Sequence, residues 1–124
     1  MAPKILTPAE AARLIPDGGT VALSGCLSVL EPDAALRGIE ARFLEEGHPR
    51  DLTLIHPVMV ASAKGTGINR FAHDGLMRRV IGGSFSIFPD YEITGMIKQD
   101  RVEAYNLSIG TIFQWLRESG AGRP

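Results

Sequence analysis

Four short segments hold the residues whose type and spacing could do chemistry: Gly25 with Cys26-Leu27-Ser28, Lys64-Gly65-Thr66-Gly67, Gly82-Gly83-Ser84, and Asn106 with Gly110. Each comes after an apolar run. Glycine in such a place lets backbone amides approach a ligand and permits positive φ, while serine and asparagine can hydrogen-bond an anion or a carbonyl. The same glycines serve equally well as tight turns and helix caps, and 14 glycines in 124 residues would furnish those in any case. Lys64-Gly65-Thr66-Gly67 is compatible with phosphate binding or a solvated loop charge, but it lacks the full P-loop spacing.

The remaining reactive side chains point to less. Cys26 is the only cysteine, so no disulfide forms within the chain. At a strand end facing a helix start near Pro32 it could be a nucleophile of lowered pKa, and a small buried hydrophobe is the favoured reading. His48, His56 and His73 have no metal-ligand spacing, which makes them core or surface histidines rather than a zinc site.

The elements that must position these segments alternate in type. Thr7-Pro8-Ala9-Glu10 predicts a capping box opening a helix that runs to Ile15. Thr20 to Ser24 reads as a buried strand. A second helix opens at Pro32 and stops at Gly47, with Ala35, Ile39 and Phe43 inward and Asp33, Arg37, Glu40 and Glu45 facing elsewhere. Strands are expected at Leu52 to His56, Arg79 to Ile81 and Val102 to Tyr105, with helices near Asn69 to Leu76, Asp90 to Lys98 and Ile109 to Arg117. The last carries Ile112, Phe113 and Leu116 on one face.

Strands separated by helices predict an α/β fold, a parallel-sheet layer with right-handed crossovers. Its core should contain Val21, Leu23, Leu54, Ile55, Val80, Ile81, Val102 and Ala104. Ligands of such sheets bind beyond the carboxyl ends of the strands, where the glycine-bearing segments fall.

At 124 residues the chain makes one domain, residues 1–124, with 119–124 reading as a tail. A hydrophobic share of 44% supports a core, and a net charge of -1 gives no footprint for nucleic acid or an anionic membrane. No apolar run approaches a membrane span, so a cytoplasmic location is the default expectation.

Taken together, HPRDLTLIHPV, GINRFAHDGLMRRVIGGSF and RVEAYNLSIG resemble the family I coenzyme A transferases, most nearly the acetate/propionate/3-oxoacid type. The resemblance runs from about Lys4 to the end and covers only part of a family member. It implies an incomplete NagB/RpiA/CoA-transferase-like layer, the amino-terminal part of the alpha-type half. It also implies transfer of coenzyme A from an acyl-CoA to a small carboxylate through a glutamyl-CoA thioester, with coenzyme A thioester as substrate rather than resident cofactor. The family's catalytic glutamate lies outside this chain, so no catalytic residue is carried over, Glu31 included.

Substrate or coenzyme A loops are implied at Gly25, Ser28, Gly82, Gly83, Ser84, Asn106 and Gly110. A carboxyl-terminal half or beta-type subunit, and an oligomer, are the implied partners. The alternative is a truncated α/β module without enzymatic activity that binds a partner chain or has lost ligand binding.

Overall fold

The computed structural model describes residues 4–27, 29–85 and 91–123. Ser28 and Asp90 therefore lie outside the described residues. The chain folds as α1 (Pro8–Ala12), β1 (Thr20–Ala22), α2 (Asp33–Glu46), β2 (Leu52–His56), a 3-10 helix (Gly67–Phe71), β3 (Met77–Gly82), α3 (Glu92–Lys98), β4 (Glu103–Asn106) and α4 (Ile109–Gly120). The four strands form one sheet in the order β1-β2-β3-β4, every pair parallel.

Local signals set most element ends. Thr7 and Glu10 close the capping box of α1, with Glu10 accepting from the Thr7 amide at 2.8 Å. α1 stops at Ala12 instead of reaching Ile15, because Leu14 and Ile15 bond three residues back in a tightened turn. The residue before Pro16 is biased away from helical geometry, which accounts for the early stop. Gly47 ends α2 at φ 73, its amide bonding the Phe43 carbonyl. Ser108 caps α4 by accepting from the Thr111 amide.

Other boundaries moved. β1 ends at Ala22, and the helix expected over Asn69 to Leu76 is a 3-10 turn lying earlier, over Gly67–Phe71. On α2 Leu36 and Ile39 are buried and Phe43 is partly buried against the core, whereas Ala35 is exposed. Asp33 and Glu40 do not face solvent freely. Arg70 donates to Asp33 at 2.7 and 2.9 Å and to Glu40 at 2.7 Å, while His73 Nε2 lies 2.9 Å from Glu40. This ion-pair cluster ties α2 to the 3-10 segment, and the Arg70 guanidinium holds the Asp33 carboxyl below its ordinary range.

Register divides the sheet into two faces. Val21, Leu54, Val80 and Ala104 line up across the four strands and pack on Leu36, Ile39, Ile68, Phe71, Ile93 and Met96. The alternate rows, Thr20-Thr53-Arg79-Glu103 and Ala22-Ile55-Ile81-Tyr105, point to the opposite face. A strand order that always steps in the same direction, joined by right-handed crossovers, places every connecting segment on one side. The core accordingly lies on one face.

α4 reaches the other face, where Ile112 is fully buried. Phe113, expected inward beside it, is 52% exposed, and Leu116 is half-buried.

Candidate functional site

The parallel register brings His56, Gly82 and Asn106 side by side at the carboxyl ends of β2, β3 and β4. Just beyond them a cavity of about 380 Å³ is lined by Gly83, Ser84, Phe85, Thr94, Ile97, Lys98 and Asn106. Of the residues singled out from sequence, Gly83, Ser84 and Asn106 line it and Gly82 forms the strand end behind it. Gly25 follows β1, at the far edge of the sheet, and packs on Leu30 and Val60. Gly110, inside α4, has open space around it. Neither Gly25 nor Gly110 reaches the cavity.

The glycine pair is required by close packing. A Cβ on Gly82 would sit 2.6 Å from His56 Nε2, and one on Gly83 would sit 2.0 Å from the Pro57 carbonyl oxygen. The two backbones therefore approach the β2 end more closely than any side chain allows. The Gly83 amide bonds the His56 carbonyl at 3.1 Å, which fixes the loop against β2.

Sequence reasoning missed the opposite wall. Thr94 and Lys98 stand four apart on α3 and so share a helix face. The Thr94 hydroxyl oxygen is buried, and no hydrogen-bond partner for it is found among the described residues. A buried hydroxyl without a partner is costly, and one lining a cavity is poised for a ligand oxygen. With the Ser84 hydroxyl, the Asn106 amide and the Lys98 ammonium, the cavity offers donors suited to a small carboxylate or a thioester carbonyl.

His56 was also missed as a site feature. It is fully buried, its ring 5.5 Å from Phe85 in an edge-on contact. Nδ1 lies 3.3 Å from the Val58 carbonyl, which accepts only if Nδ1 carries the proton. Nε2 then holds a lone pair with no partner among the described residues. Burial pushes the imidazole pKa down to about 4, against the smaller upward pull of the Val58 bond, so the ring is neutral near pH 7. It shapes the glycine strand end and carries no charge.

Cys26 is exposed rather than buried, bridged by backbone bonds to Val29 in a turn where Leu27 has φ 50. No cluster of three or more histidine, cysteine or acidic residues able to hold a metal occurs among the described residues. A larger groove of about 480 Å³ lies at the amino ends of β3 and β4, between Arg78, Arg101, Asp100 and Glu103. Sheets of this kind bind ligands at the opposite, carboxyl edge.

An open parallel sheet with helices and a cavity at its carboxyl edge defines the class: an α/β layer of the open, parallel-sheet kind. The chain belongs to the coenzyme A transferase family, whose description matches residues 5–124. It is 27% identical over 121 residues to the acetate CoA-transferase YdiF of Escherichia coli O157:H7, a match covering 97% of this chain and 22% of that protein. It is 29% identical to the caffeate CoA-transferase of Acetobacterium woodii, over 98% of this chain and 23% of that one.

Crystal structures of E. coli O157:H7 YdiF superpose closely. The thioester complex with CoA gives a TM-score of 0.88 at 28% identity, over 96% of this chain and 24% of that one. The apoenzyme gives 0.89 at 27%, over 97% and 23%. The chain thus spans about a quarter of the length of these relatives. No helix among the described residues is long and apolar enough to cross a membrane.

Proposed function

We propose that this chain forms the first part of the amino-terminal, alpha-type half of an acyl-CoA:carboxylate CoA-transferase and walls the acyl or carboxylate side of its site. The observation that carries this reading is the meeting of Gly83, Ser84 and Asn106 with Thr94 and Lys98 around one cavity at the sheet's carboxyl edge. Lys98 supplies charge for a carboxylate, and the hydroxyls and amide orient its oxygens. The neutral, packed His56 holds the glycine strand end in place without competing for that charge.

The covalent step requires a glutamate from elsewhere in the family fold. Forming a glutamyl-CoA thioester splits one difficult transfer into two easier ones. The chain by itself should not exchange coenzyme A between acetyl-CoA or propionyl-CoA and a carboxylate. Adding a polypeptide that carries the rest of the family fold should restore exchange, and Asn106→Ala should then lower kcat/KM about tenfold, the loss of one good hydrogen bond. Turnover by the chain alone, or full activity of the Asn106→Ala complex, would overturn the reading.

A further inference from the structure

The charged residue of the carboxyl-edge cavity stands without a counter-ion. Lys98 is exposed at the cavity wall, and its side chain makes no ion pair or hydrogen bond among the described residues. Arg42, Arg70, Arg79 and Arg101, by contrast, are each paired with a carboxylate. Ser84, Thr94 and Asn106 line the same space as Lys98, with Phe85 and Ile97 as its apolar part.

An unpaired lysine amine beside hydrogen-bond donors has a second chemistry. Donors that hold a carbonyl oxygen stabilise the negative charge that grows there when its carbon is attacked. A lysine amine in its neutral form is a nucleophile. An acyl-CoA whose carbonyl rests on Ser84 and Asn106 would share one cavity with the Lys98 amine.

We infer that Lys98 is a self-acylation site, modified by an acyl-CoA held in this cavity, and that the modification closes the cavity to carboxylates. Nζ forms a C–N bond to the acyl carbon, the C–S bond breaks, and coenzyme A leaves as the thiolate. The proton displaced from nitrogen passes to that thiolate or to water, and no further reactant enters. The amide that remains carries no charge, so the described lining loses its cation. This inference rests on the reading of the cavity as the acyl or carboxylate side of a CoA-transferase site.

The chain has three lysines, Lys4, Lys64 and Lys98, all exposed, so two of them serve as internal references. The chain alone is incubated with acetyl-CoA at about pH 8.5, where a larger share of lysine amines is neutral, and acetylation of each lysine is followed by peptide mass spectrometry. Sulfosuccinimidyl acetate, which acetylates accessible amines without the coenzyme, gives their intrinsic reactivities. Relative to that reagent, acetyl-CoA should favour Lys98 over Lys4 and Lys64 by about tenfold or more, because the reacting groups share a site. Asn106→Ala should remove most of the preference. Acetate binding is read separately, from the backbone amide shifts of Gly83, Ser84 and Asn106 in a nuclear magnetic resonance titration. Lys98→Gln, uncharged like the acylated side chain, should abolish those shifts, and Lys98→Arg should keep them. Acetate binding without preferential acylation of Lys98 would overturn the inference and leave the reading of the cavity standing, whereas absence of both would overturn the two together. A preference unchanged by Asn106→Ala, or shifts unchanged by Lys98→Gln, would also overturn it.

Discussion

Acidification from about pH 7.5 to pH 5 should remove about 2 kcal/mol of folding stability through His56 alone. In the folded chain, burial holds the imidazole at about 4, below its ordinary 6.5. The unfolded chain therefore takes up a proton below about pH 6.5 that the folded chain refuses until about pH 4. More protons on the unfolded state mean that stability rises with pH. The His56 contribution is fully present above 6.5 and is lost as pH falls towards 4, where the whole gap amounts to about 3 kcal/mol.

Nε2 faces the Gly82 backbone with no hydrogen-bond acceptor among the described residues, so a proton there adds a buried donor that they do not bond. Urea denaturation at both pH values, on the natural chain and on His56→Gln, isolates the effect. Glutamine keeps a donor for the Val58 carbonyl but does not titrate. Its loss between the two pH values should be smaller by about 2 kcal/mol. The lowered carboxyls of Asp17 and Asp33 lose their contribution only below their ordinary 3.8, outside this window. Equal losses in the two proteins would refute the reasoning.

Two further expectations concern the scaffold. A Cβ at Gly67 would lie 2.0 Å from the Val60 carbonyl oxygen and 2.7 Å from Glu31 Oε1 at φ +56, whereas Gly47 at φ +73 has open space. Gly47→Ala should cost about 1 kcal/mol, and Gly67→Ala should lower the melting temperature at least twice as far; equal shifts would contradict the packing described. Phe71 is fully buried while Phe43 is partly buried, so Phe71→Ala should cost about 3 to 5 kcal/mol. Phe43→Ala should cost less, and the reverse order in chemical denaturation would show that α2 rather than the 3-10 segment anchors the core.

What the sequence determined by itself is what short-range chemistry controls. The Thr7-Glu10 capping box, the Gly47 stop and the apolar run Leu52 to His56 all act within a few residues, and they formed as expected. Alternation of strand and helix also implied the parallel layer, because parallel neighbours need a crossover. The glycine-bearing turns could be placed at strand ends in general.

Tertiary structure decided which of them meet. Strand order and register are set by pairing between distant segments, so they brought Gly82, Gly83, Ser84 and Asn106 together and left Gly25 and Gly110 outside. The same long-range packing turned Thr94 and Lys98 onto the cavity, buried His56 against the Gly82 backbone and exposed Cys26. It also left Tyr105 and Trp115 uncovered. A linear apolar pattern cannot show this last result, because it records that a side chain is oily and not whether the fold supplies a second layer to cover it.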